Sequence, residues 1–179
     1  AGRERPAPAR RIPFGAFDFS NRHADAFLAL LTDIGIDYVD TRDVLLNSDL
    51  APDELYFRTD THWTIPAAFR AYGALAEHLN QNYGFQIDEK FTNPDNYETR
   101  VYKDRFMGSF GTQTTPYYVG TEDFVALYPT FETHLTERTQ RNDNNWMVRE
   151  GSFEEAVMAP DQLIPDEGKS YSSRCYQSY

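Results

Sequence analysis

Between residues 18 and 35 (DFSNRHADAFLALLTDIG) apolar positions recur at helical spacing, with Ala26, Phe27, Leu30 and Leu31 on one stripe. Ser20 or Asn21 suits the N-cap, and Gly35 suits the stop. The period then shortens. Ile36, Tyr38 and Val39 predict a short strand, and a helix-to-strand step of this length points to an α/β layer fold. A second helix is predicted after residue 64: Thr64 can cap it, Pro66 suits its first turn, and Phe69, Tyr72, Leu75, Ala76 and Leu79 share a face. From residue 81 to residue 131 the chain turns rich in Tyr, Phe, Thr, Gly and Pro, which predicts short strands and turns. Residues 145–158 fit either a hairpin around Gly151 or a turn leading into a short helix. The first 13 residues carry Arg3, Arg5, Arg10 and Arg11 with three prolines, the composition of an extended, solvated arm.

At 179 residues the chain has room for one domain or a piece of a larger one. Its 13 Phe and 12 Tyr exclude a disordered chain and predict an aromatic-rich core. A net charge of -11 argues against nucleic acid as a partner, because phosphate binding needs clustered Lys and Arg. The single cysteine, Cys175, has no partner for an internal disulfide. No apolar run approaches the roughly 18 residues of a membrane span. The chain begins at Ala1, which leaves room for an upstream targeting segment, and both ends read as cuts.

Candidate chemistry concentrates in YFRTDTHWTIPAAF, residues 56–69. In an extended segment Asp60 and His62 project to the same side, so the carboxylate can orient the imidazole as in a nucleophilic triad. The same spacing also fits half of a metal site or a polar turn closing a strand. A dinuclear metal site needs further converging ligands, and the remaining His23, His78 and His134 come with no His-x-His cluster. For a nucleophile, Ser109 in MGSFG lacks one spacer of the Gly-x-Ser-x-Gly elbow and reads as a turn residue at a strand end. Cys175 reads as an incidental thiol in a polar tail.

Taken whole, YFRTDTHWTIPAAFRAYGALAEHL resembles the Asp-x-His-Trp signature of two related bacterial groups, the alginate O-acetyltransferase type of SGNH hydrolase-like proteins and the DHHW family. The likeness continues upstream through FLALLTDIGIDYVDTRDVL and downstream through DRFMGSFGTQTTPYYVGTEDFVALYP. It departs at TIPAA, where those groups carry a Gly before the Ala. The resemblance implies an α/β fold, an SGNH-hydrolase-like, flavodoxin-like three-layer sandwich, here incomplete and with a β-rich insertion after the Asp-x-His-Trp helix. Its domain would run over residues 14–179, with an α/β part at 14–82, a strand- and turn-rich part at 83–160 and a tail at 161–179.

The resemblance further implies a Ser-His-Asp triad with His62 as general base and Asp60 as its orienter. Trp63 would lie beside the site, with Arg58 and Thr64 as further substrate contacts and Thr64 also the helix cap; Ser109 would stand outside the triad. The family serine sits in a Gly-Asp-Ser or Lys-Asp-Ser turn, and this chain contains neither tripeptide. KSYSSRCYQSY resembles the lead-in to the family's Gly-Gly-Asn element. The expectation is therefore a serine beyond Tyr179, with these residues alone inactive. The implied function is part of a cell-surface or exopolysaccharide O-acetyltransferase, as in alginate biosynthesis, acting outside the cytoplasm in the periplasm or at the cell surface. Its partners would be a polysaccharide acceptor, an acetyl donor and a membrane-bound acetyl-transfer protein, with no cofactor and no metal. A glycan acetylesterase with the same triad, and a non-catalytic glycan-binding or assembly protein, are the alternatives. The acidic charge is easier to reconcile with a neutral glycan than with a polyuronate.

Overall fold

A computed structural model describes residues 19–114, 120–140 and 146–156. Helix α1 spans Ser20–Asp33. Its stop is the one the sequence predicts: Gly35 takes φ +73°, Gly35 N–H reaches Thr32 O at 3.0 Å, and Ile36 N–H reaches Leu31 O at 2.9 Å. That double closure needs a left-handed residue, which glycine adopts without steric cost. The start differs from expectation. His23 N–H already bonds Phe19 O at 2.9 Å, so Phe19 is the N-cap and both Ser20 and Asn21 lie inside the helix. The apolar stripe is also not a core face: α1 has no buried residue, and Phe27 and Leu30 are 60% and 61% exposed.

The strand expected at Ile36–Val39 does not form; residues 36–40 carry no ladder. Side chains hold this segment instead. Asp37 Oδ2 accepts from Tyr83 OH at 2.9 Å and faces His78 Nε2 at 2.5 Å, while the Tyr38 and Thr32 hydroxyls lie 3.3 Å apart. Helix α2, Thr41–Leu46, follows directly where no helix was expected. Asp40 caps it by accepting from Arg42 N at 3.0 Å and from the Arg42 guanidinium at 2.9 and 2.7 Å, a bidentate pair. The Asp that opens Asp-Thr-Arg-Asp was the available signal.

Helix α3, Ile65–Tyr83, is the best-anticipated element. Thr64 Oγ1 accepts from Ala67 N at 3.3 Å, Pro66 sits in the first turn, and Gly84 ends the helix at φ +69°. Its buried residues are Ala67, Ala71 and Ala76 rather than the larger ones, with Tyr72 40% and Leu75 44% exposed. Small side chains let α2 approach closely, and Ala67 joins Leu45 and Leu55 in a compact cluster. Phe69 on another face meets Tyr97 edge-on at 4.8 Å.

Four strands follow, all within the segment expected to be strand-rich. Strand β1, Tyr97–Phe106, pairs antiparallel with β2, Glu122–Pro129, with Val101 opposite Val125. A bulge interrupts the ladder between Tyr102 and Phe106, and Asp104 there takes φ +54°. Helix α4, Ser109–Thr114, lies between these strands in the chain. Strands β3, Leu135–Gln140, and β4, Trp146–Gly151, form a second antiparallel ribbon. Helix α5, Phe153–Ala156, comes next, so beyond Gly151 the turn into a short helix is what forms. Among the described residues the sheets are these two ribbons, and none is parallel; the helix-and-strand content fits an α/β fold, and a three-layer sandwich is not drawn by these elements alone.

Alternation along β2 turns Phe124, Ala126 and Tyr128 inward, where they join Phe57 and Phe106 as the main core. The Phe57 and Phe106 rings stack at 4.0 Å and both lie about 6 Å from Phe124. Phe57 thus ties the loop that carries Asp60 and His62 to the β1–β2 ribbon.

Candidate active site

Residues 56–63 form a closed loop ahead of α3. Tyr56 and Trp63 pair across its base, Phe57 N–H reaches His62 O at 3.1 Å, and Thr64 N–H reaches Leu55 O at 3.0 Å. Asp60 and His62 do come together, though not by the alternation of an extended strand. The chain turns at the loop tip, and Asp60 Oδ1 accepts the His62 backbone N–H at 3.0 Å. An aspartate bonding to the backbone two residues ahead is a turn device, and here it folds the carboxylate over the imidazole.

The pair is asymmetric in exposure. The Asp60 side chain is 2% exposed and the His62 side chain 60%, with Nδ1 and Oδ1 2.5 Å apart. The other carboxylate oxygen, Oδ2, accepts Ser109 N–H at 2.6 Å. An ionised carboxylate can only accept, so the proton between the two side chains sits on Nδ1 and the basic lone pair of the neutral ring is on Nε2. Burial of the acid and exposure of the ring leave the dyad able to take a proton from something outside it.

Of the other residues singled out in the sequence, Trp63 is 38% exposed and lines the same groove as His62. Arg58 turns its guanidinium to Thr121 O at 3.0 Å. The Thr64 hydroxyl donates to Glu54 O at 2.6 Å and accepts from Ala67 N, which commits it to the helix start. Ser109 is the first residue of α4, and its amide supports Asp60. His78 pairs with Asp37, and the exposed His134 lies 3.2 Å from Glu132. Among the described residues no three His, Cys, Asp or Glu gather as metal ligands, and Cys175 lies outside the described residues.

Three residues escaped sequence reading. Glu122, at the start of β2, accepts Arg58 N–H at 2.9 Å and Thr59 N–H at 2.7 Å, and also takes the Thr59 hydroxyl. Thr59 is fully buried. At Gly108 an added Cβ would lie 2.3 Å from Asp60 Cβ and 2.4 Å from its Oδ2. The MGSF glycine was visible, but its neighbour 48 positions upstream was not.

Beside the dyad runs a cavity of about 730 Å³ lined by His62, Trp63, Phe69, Tyr72, Tyr97 and Phe153 among others. Most of its wall is aromatic or aliphatic. Burial holds the Tyr97 hydroxyl above its ordinary value, with the neighbouring Tyr72 adding to the effect. His62 therefore stands on the rim of a largely apolar, aromatic groove, an arrangement that suits a ligand with both ring faces and a polar group.

In a search of solved structures, the structure of PatB1 from Bacillus cereus is similar, with a TM-score of 0.61 and 15% sequence identity. The match covers 91% of this chain and 52% of that one, so this chain spans about half the length of that relative; at this identity the likeness is one of fold. No curated protein matches. The family described as "SGNH hydrolase-like domain, acetyltransferase AlgX" matches residues 12–173, nearly the whole chain, which supports the SGNH-like O-acetyltransferase resemblance. The chain belongs to the SGNH hydrolase-like domain family of acetyltransferase AlgX.

Proposed function

We propose that this chain supplies the Asp-His half of a Ser-His-Asp triad in a polysaccharide O-acetyltransferase, with a serine outside these residues completing it. The observation that carries the reading is the 2.5 Å contact between buried Asp60 Oδ1 and exposed His62 Nδ1 at the edge of the aromatic groove. In this reading the serine hydroxyl loses its proton to His62 Nε2 and attacks the acetyl carbonyl of the donor. Collapse of the tetrahedral adduct expels the donor's alcohol or thiol, which leaves protonated by His62. A sugar hydroxyl, deprotonated in turn by His62, then takes the acetyl group from the serine. Trp63 and its aromatic neighbours offer stacking faces for a sugar ring. An extracytoplasmic site and a membrane-bound protein delivering acetyl groups belong to the same proposal and are supported by family membership alone.

The test is acetyl release from a model acetyl ester by the intact protein and by its His62→Ala variant, with and without an oligosaccharide acceptor. Loss of turnover in the variant is expected, with acetylated sugar as the product in the wild type. Equal rates in the two proteins would sink the general-base role, and release to water alone would make the enzyme an esterase.

A further inference from the structure

We infer that Thr59, Gly108 and Glu122 are positioning residues which aim the Asp60 carboxylate at His62, so that the β1–β2 ribbon serves as the holder of the dyad. The inference rests on the proposed role of Asp60 and His62. A loop of this size, pinned only at its base, would leave its tip free to sample several turn conformations. This tip is instead among the most buried places in the protein, with Thr59 at 0% and Asp60 at 5% exposure.

Two sets of bonds from distant sequence create that burial. From one side the Glu122 carboxylate collects three donors, Arg58 N–H, Thr59 N–H and the Thr59 hydroxyl. From the other side four consecutive amides are received by Thr59 and Asp60. Gly108 N–H goes to Thr59 Oγ1 at 2.9 Å, Ser109 N–H to Asp60 Oδ2 at 2.6 Å, and Phe110 and Gly111 N–H to Thr59 O at 3.0 and 3.2 Å. The first turn of α4 leaves its amides unpaired within the helix, and the dyad loop satisfies them.

The chain reaches this position because of the bulge before Phe106, held by Lys103 and Asp104 on Asp123. Only glycine fits at 108, since any side chain would occupy the space of the Asp60 carboxylate. The orientation matters chemically. With Oδ2 held by Ser109 N–H and Oδ1 by the His62 backbone N–H, Oδ1 is turned toward Nδ1, and that orientation selects the ring tautomer with Nε2 available as a base.

The readout is the His62 ring itself, followed by ¹H–¹⁵N correlation in the 179-residue chain at alkaline pH. Wild type is expected to show one neutral tautomer with the proton on Nδ1 and a downfield, slowly exchanging Nδ1–H resonance. Gly108→Ala and Thr59→Val should lose that resonance and yield a mixture of tautomers. Thr59→Ser, which restores the hydroxyl, should recover the wild-type pattern. Gly73→Ala is the control, because its added methyl meets only Thr92 Cβ at 4.0 Å, and it should leave the pattern unchanged. Should Gly108→Ala fail to fold, the Thr59 pair carries the test through its isosteric change. Unaltered His62 signals in folded Gly108→Ala and Thr59→Val, with only thermal stability lowered, would overturn the inference. A wild-type pattern preserved in Asp60→Ala, which removes the acceptor altogether, would instead remove the dyad reading beneath it.

Discussion

Asp60→Asn keeps shape and volume but removes the negative charge and the ability to accept at both oxygens. In the wild type Oδ1 takes His62 Nδ1 at 2.5 Å and His62 N–H at 3.0 Å, while Oδ2 takes Ser109 N–H at 2.6 Å. The amide has one acceptor and one NH₂. If its oxygen stays toward His62, the NH₂ is driven against Ser109 N–H, two donors facing each other in a nearly closed site. If it flips, the NH₂ faces both the His62 amide and Nδ1, leaving an amide without its acceptor and forcing the ring proton onto Nε2. Either arrangement leaves at least one buried donor unsatisfied, so the expected cost is about 1–3 kcal/mol of stability. The catalytic cost should be far larger, on the order of 10⁴-fold in kcat, the scale of loss when a triad acid is amidated and its histidine adopts the wrong tautomer. Urea denaturation measures the first quantity and initial rates of model-ester turnover by the intact protein the second. His62→Ala and the Asp60→Asn, His62→Ala double variant should be about equally slow, because the residues act as one unit. An Asp60→Asn protein with unchanged midpoint and unchanged rate would refute the reasoning, and additive losses in the double variant would show that the two side chains act independently.

Other outcomes follow from the frame around the site. Phe106→Ala removes a ring that is 1% exposed and stacked 4.0 Å from Phe57, and should cost about 3–5 kcal/mol in denaturant unfolding; a loss under about 1 kcal/mol would mean that the ring is not part of a packed core. Thr64→Ala deletes both the cap to Ala67 N and the bond to Glu54 O, and should cost about 1–2 kcal/mol while Ile65–Tyr83 stays helical by circular dichroism. The Tyr83 hydroxyl, and after it His78, hold the Asp37 carboxyl below its ordinary value of 3.8. A carboxyl depressed by folding adds stability above its unfolded value and loses it as pH falls through the folded one. The stability gap between wild type and Asp37→Asn should therefore be full near neutral pH and close below about pH 4; a gap that is constant in urea titrations across that range would contradict the Asp37 tie.

Local rules carried the sequence a long way where the deciding contacts are local. Gly35, Thr64 and Pro66 act within a few residues of themselves, so the end of α1 and the start of α3 were legible, and the Asp-x-His step was visible as a pair. The same rules failed where a partner sits elsewhere. Ile36, Tyr38 and Val39 have strand chemistry, yet a strand needs a neighbouring backbone, and the described residues supply side-chain ties from α3 instead. The α1 stripe has core chemistry, yet Phe27 and Leu30 face outward. The core face of α3 was misread toward its large residues: the buried positions are alanines, and one of them, Ala67, joins Leu45 of α2, an element the pattern had not revealed.

The dyad shows most sharply how the two kinds of information divide. Asp60 and His62 are two positions apart, but what orients them arrives from Gly108 to Gly111 and from Glu122, about 50 and 60 residues along the chain. Read alone, MGSFG invites a search for a nucleophile, and Glu122 is one of 28 acidic residues with nothing to distinguish it. Their meaning appears only when the bulge in β1 brings the Gly108 amide to the Thr59 hydroxyl. On the inference that Thr59, Gly108 and Glu122 position Asp60, the strand-rich segment is what would hold the polar loop as rigidly as a general base at His62 requires. If the dyad is set from a distance in this way, substitutions at the start of β2 or in the β1 bulge, remote in sequence, should perturb the His62 tautomer as Gly108→Ala would.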